Sequence, residues 1–78
     1  MRTMIKLIPE RSIRTGAGKY MAQLIADSPD ELAGVTAVDG IDLDFGSLAF
    51  CGRDGEVCSL MSDGKWYKVS DGSEVTGA

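Results

Sequence analysis

Residues 46–69 read GSLAFCGRDGEVCSLMSDGKWYKV, and their punctuation decides the fold class. Asp54-Gly55 and Asp63-Gly64 each stand between short apolar-rich runs. A type I′ hairpin turn needs positive φ at both central residues, which Asp and Gly tolerate better than most. Two such hairpins sharing a middle strand make a small antiparallel meander, with strands expected near 47–53, 56–62 and 65–70. Two-residue turns also set a register, in which Cys51 opposes Cys58, Phe50 opposes Ser59, Met61 opposes Trp66 and Leu60 opposes Tyr67. Alternation along each strand then gathers Ala49, Cys51, Cys58, Leu60, Tyr67 and Val69 on one face. The other face gathers Leu48, Phe50, Val57, Met61 and Trp66.

Both faces of that meander are apolar, whereas a freestanding antiparallel sheet normally keeps one face solvated. If the rest of the chain covers one face only, Leu48, Phe50, Val57, Met61 and Trp66 form a candidate interaction face. If the N-terminal strands and residues 35–45 wrap both sides, the same residues fill a small barrel or sandwich. Trp66 and Tyr67 offer a different surface, an aromatic platform for a glycan or peptide, although paired strand aromatics more often pack in cores and interfaces.

Upstream, TMIKLI at residues 3–8 is β-branched and apolar, and Pro9 ends the run. This predicts an edge strand with Met4, Lys6 and Ile8 on one side and Ile5 and Leu7 on the other. ERSIRTGAG at residues 10–18 predicts a mobile loop, and its TGAGK piece lacks the spacing of a phosphate-binding loop. Residues 19–26, KYMAQLIA, are read as a second strand pairing with the first. The competing α+β reading makes 19–27 helical, because Tyr20, Met21, Leu24 and Ile25 also share a helical stripe. Ser28, Pro29 and Glu31 predict one short capped helix near 29–33, closed by Gly34. Asp39-Gly40 marks a small ribbon within 35–45, whose carboxylates Asp39, Asp42 and Asp44 lack calcium-loop spacing. The fold class expected is mainly β.

Size and charge bound the function. The chain has 78 residues, enough for a single small domain with a modest core, and oligomerisation is a common remedy for marginal stability. It contains no His, so the usual general base and zinc partner are missing, and two Cys cannot make a four-thiolate site. Cys51 and Cys58, opposed in the expected register, are within range of a disulfide, yet lack a pKa-lowering neighbour. Two reduced, packed thiols are the favoured reading, and no metal or cofactor is expected. Residues 1–19 hold five cations against Glu10, whereas residues 20–78 hold three cations and eleven anions. That describes a basic N-terminal arm on an acidic body, with residues 71–78 as a tail free to fray. Such a body repels nucleic acid, and the arm lacks aromatics for stacking bases. Nothing reads as a signal peptide or membrane span, so a cytoplasmic location is expected.

Four pieces of the chain carry a family resemblance: Ser28 to Leu32, Gly46-Ser47-Leu48-Ala49-Phe50, Gly55-Glu56-Val57 and Asp63-Gly64-Lys65-Trp66-Tyr67. Together they resemble small structural proteins of tailed-phage and prophage morphogenesis clusters, over roughly residues 20–69. Cys58 stands where that family often has an aromatic residue. The resemblance implies a virion or assembly protein without catalysis, acting by self-association or by docking onto a head, neck or tail component. Partners on this reading are protein subunits, with a homo-oligomer expected, and the site of action is the cytoplasm or an assembled particle.

Overall fold

A computed structural model describes residues 5–16 and 18–76. The protein is mainly β, as expected. A five-stranded mixed sheet contains β1 (Ile5–Arg14), β2 (Tyr20–Ala26), β5 (Leu48–Cys51), β6 (Glu56–Leu60) and β7 (Trp66–Lys68), in that spatial order. Between β2 and β5 the chain makes one 3-10 turn, Pro29–Leu32, and a two-stranded ribbon of β3 (Ala37–Val38) and β4 (Ile41–Asp42). Strands β5, β6 and β7 are the antiparallel meander, and β1 and β2 pair antiparallel. The β2–β5 pair is parallel, so residues 27–47 form a crossover.

Residues 20–26 are therefore strand, and the helical alternative is overturned. The strand expected over 3–8 continues past Pro9: in the described residues β1 runs from Ile5 to Arg14, with a register shift between Ile8 and Ile13. An irregularity there lets the strand carry proline without losing the whole ladder. The loop expected over 10–18 shrinks to a turn, closed by the Thr15 N–H donating to the Lys19 carbonyl at 2.8 Å. The basic arm is thus, across its described residues, an edge strand and its turn; Arg2, Thr3 and Met4 lie outside them. The helix expected near 29–33 is a single 3-10 turn. Pro29 occupies its start as expected, but Ser28 makes no side-chain cap, and the Glu31 carboxylate accepts from the Asp27 N–H at 3.1 Å.

Turn chemistry explains the largest correction. Type I′ geometry forms at Asp39-Gly40, where φ is 53° and 83°. The meander turns are longer. Cys51 opposes Glu56 across a four-residue loop, and Met61 and Lys65 flank a three-residue loop closed at Gly64. In the latter, the Gly64 N–H donates to the Met61 carbonyl, φ at Gly64 is 81°, and the Asp63 carboxylate accepts from the Lys65 N–H. Two residues more or fewer in a loop leave every side chain on its face, whereas one residue inverts the strand. The first hairpin therefore keeps its expected faces while β7 is inverted.

The core lies on one face of the sheet. Ala22, Leu24, Ala26, Ala49, Cys51, Cys58, Leu60 and Trp66 turn inward and are buried. The three alanines leave room for the crossover, which contributes Leu32 and Leu43 to the same cluster, with Val35, Val38 and Ile41 packed against it. Val75 joins from the C-terminal side, where the Val75 N–H donates to the Trp66 carbonyl at 2.8 Å. Residues 71–75 thus fold back along β7 rather than fray. Among the described residues one polar side chain, Ser47, is buried with the core. Ser47 Oγ accepts from the Ala22 N–H and reaches the Asp44 and Tyr20 carbonyls, tying β2 to the end of the crossover.

Candidate functional site

The face opposite the core has no covering element among the described residues. Register relations arrange it as three rows crossing the strands. The first runs Lys6, Ile25, Phe50, Val57 and then Val69, whose N–H donates to the Val57 carbonyl. The second runs Ile8, Gln23, Leu48, Ser59 and Tyr67. The third runs Ile13, Met21, Gly46, Met61 and Lys65. Ile25, Phe50, Met21, Met61, Val69 and Ile13 are each between 38% and 65% exposed, which is far more apolar surface than isolated surface residues would give. Gly46 is part of the design. A Cβ there would sit 3.3 Å from the Met21 Cε, so the glycine lets the Met21 thioether lie flat across the middle of its row.

Of the five residues expected on this face, four are there. Leu48 and Val57 are half-buried, and Phe50 and Met61 are exposed. Trp66 is not. It is 1% exposed on the core side opposite Leu60, and its Nε1–H donates to the Val35 carbonyl at 2.8 Å. Tyr67 and Val69 take its place, because the three-residue loop inverts β7. Tyr67 donates its hydroxyl to the Asp63 carboxylate at 2.6 Å, which raises the phenol pKa and lowers that of Asp63. Beside them, a hollow of about 450 Å³ is floored by Ser59, Met61, Tyr67 and Val69. Ile25 and Met21 escaped sequence reasoning, since their side of the sheet depends on the parallel β2–β5 pairing, which no local turn announces; Ile13 escaped it because residues 10–18 read as a loop.

Cys51 and Cys58 do not oppose each other. Cys51 faces Glu56, Cys58 faces Ala49, and the two thiols meet diagonally on the core side, unbonded and buried. Burial first, then the neighbouring Cys58, pushes the Cys51 thiol up to about 12; burial also raises Cys58. A thiol held protonated at neutral pH is a poor nucleophile. Among the described residues no group of three or more His, Cys, Asp or Glu side chains is placed to hold a metal ion, and no helix is long and apolar enough to cross a membrane.

The sheet edges differ. On β7, the Lys68 N–H donates to the Ser73 carbonyl, and Tyr67 bridges to Glu74. On β2, Ala22 and Ala26 direct their peptide groups toward β5, through the Ala22 N–H to Ser47 and the Gly52 N–H to the Ala26 carbonyl. Ile5 and Leu7, opposite Ala26 and Leu24, therefore turn their own peptide groups to the outer side of β1. Pro9 follows two residues on and has no N–H to give. Among the described residues the β1 edge thus offers the donors of Ile5 and Leu7 before the proline, and a proline on an edge is a recognised guard against strand addition.

No protein-family model, curated protein or solved structure matches the chain.

Proposed function

We propose that this protein is a non-catalytic structural or adaptor module that works by covering the outer face of its sheet with another protein surface. The observation that carries the reading is the pair of apolar rows through Ile25, Phe50, Val57 and Val69, and through Ile13, Met21 and Met61, left uncovered by the crossover. Burial of such side chains is worth about 25 cal/mol per Å², so leaving them in water forfeits binding energy that a partner recovers. The absence of His from the chain and the protonated, buried thiols favour binding over chemistry. A glycan platform built on Trp66 is disfavoured, since the indole is buried with its N–H engaged.

Met21 and Met61 are native reporters of the face. Oxidative footprinting in producing cells is expected to protect both relative to the dilute purified chain. Equal oxidation in the two settings refutes the reading. The narrower setting, assembly of a tailed-phage particle, rests on the sequence resemblance alone. Proteomics of particles and assembly intermediates after prophage induction tests it, and absence of the chain from both sinks it.

A further inference from the structure

We infer that the occupant of the outer face is a second copy of this chain, stacked face to face about a two-fold axis parallel to the strands. The inference rests on the interaction reading above and narrows it to one partner and one geometry. Charge selects both. Residues 5–19, at the β1 edge, carry four cations against Glu10, a net +3. Residues 54–76, which include β6, β7 and their turns, carry five carboxylates against two lysines, a net −3. Strand order puts these groups at opposite edges of one sheet. A two-fold axis perpendicular to the strands would stack β1 on β1, basic edge over basic edge. An axis parallel to the strands stacks β1 over β7 of the second copy, so each positive edge meets a negative one, twice per dimer. Packed sheets lie about 10 Å apart, close to the Debye length at physiological salt. Charge therefore chooses the orientation, and the apolar rows supply the affinity.

Shape selects the same axis. Rotation about it lays each cross-strand row over its own counterpart, with the central strand β5 on itself, so that Leu48 and Phe50 lie beside their equivalents. At the basic end of the third row Ile13 protrudes, 65% exposed. At the opposite end of the second and third rows is the hollow floored by Ser59, Met61 and Tyr67. The rotation brings each Ile13 over the Lys65 end of the third row in the other copy, next to that hollow. In the first row it brings Lys6 over the Val69–Asp71 turn. The alternative route to a dimer, pairing β1 edges, is blocked: the register that avoids Pro9, Ile5 opposite Leu7, sets Lys6 against Lys6.

Sedimentation velocity on the full chain, from about 1 μM to about 1 mM, tests the partner. A monomer–dimer equilibrium is expected, and Phe50→Glu is expected to weaken it by at least about 30-fold, as for a central anchor. A short thiol-reactive crosslinker tests the axis, the native thiols being buried. A mixture of Ile8→Cys and Tyr67→Cys chains is expected to crosslink, because the axis places the ends of the second row over each other. Ile8→Cys alone is expected not to. A monomer throughout, a dimer indifferent to Phe50→Glu, or self-crosslinking of Ile8→Cys overturns the inference. Should the chain prove monomeric while Met21 and Met61 remain protected in cells, the dimer falls and the interaction reading stands. Should both methionines also be unprotected, both fall.

Discussion

Replacing Trp66 by Phe isolates the inversion of β7. The indole is 1% exposed, and its Nε1–H is the hydrogen-bond partner of the Val35 carbonyl at 2.8 Å. Full truncation of a core Trp costs about 3–5 kcal/mol, and a phenyl ring retains most, but not all, of that packing. The substitution also leaves the Val35 carbonyl unpaired in a packed crossover, for about 1–3 kcal/mol. Together these give a loss of about 2–4 kcal/mol, a large part of what a domain of this length has, and a fall in Tm of roughly 10–25 °C. Urea denaturation followed by far-ultraviolet circular dichroism, at a dilution where the chain is monomeric, measures it. Met61→Ala is the control, since an exposed outer-face residue should change stability by no more than about 0.5 kcal/mol. Wild-type Trp emission should be blue-shifted and resistant to quenching. A Trp66→Phe cost below about 1 kcal/mol, or a Met61→Ala cost equal to it, would return Trp66 to the outer face and refute the three-residue turn.

Ser47→Ala should cost about 1–3 kcal/mol in the same assay, because the Ala22 N–H then lacks its acceptor; a neutral result would mean that water replaces the hydroxyl. Gly46→Ala should cost about 1–2 kcal/mol, from its φ of 94° and the Met21 contact. Gly52→Ala, with normal φ and open space around it, should be neutral or stabilising by up to about 1 kcal/mol, so equal effects at the two glycines would refute the turn assignments. Stability should be insensitive to the thiols up to about pH 9 and fall above it. The unfolded chain loses those protons near 9, whereas native Cys51 holds its proton to about 12, so rising pH pulls toward the unfolded state. Urea titrations between pH 7 and 10.5 on wild type and Cys51→Ala test this, the variant being expected to fall less steeply.

What the chain discloses locally, it discloses well. Asp-Gly pairs mark every hairpin turn of the meander and the ribbon, Pro29 opens the 3-10 turn, and apolar runs mark the strands. What it does not disclose is loop length at a turn. Asp63-Gly64 is compatible with two central residues or with three ending in a left-handed glycine, and the choice depends on what Trp66 can bury. Tertiary packing decided it: the crossover offered Trp66 a carbonyl and a pocket, and Met61 went outside. The same non-local cause hid Met21 and Ile25, whose periodicity fits strand or helix equally and whose face follows from β2 adding to β5 in parallel, a contact between residues about 25 apart. Ile13 fell in the glycine-rich run read as a loop, which the structure makes the end of β1. Pro9 misled for a physical reason as well, since an edge strand with an irregularity at that point tolerates a residue without an N–H.

A sheet of five strands has two faces, and the 21 residues of crossover between β2 and β5 cover only one of them. The remaining segments are spent on turns and on guarding the β7 edge. Nothing of the described chain is left to shield the second face, yet that face was not made polar. Its rows carry Ile, Met, Phe and Val where Lys, Glu or Thr would serve a solvated strand as well or better. The described β1 edge, by contrast, carries Pro9 after the outward donors of Ile5 and Leu7. An edge that discourages pairing beside a face that invites it distinguishes a docking surface from mere instability, because aggregation proceeds through edges and a closed assembly through faces. Phe50→Glu should therefore reduce association without reducing solubility, whereas Pro9→Thr should promote concentration-dependent aggregation. The reverse pattern, a soluble Pro9→Thr chain and an aggregating Phe50→Glu chain, would place the partner site on the β1 edge instead.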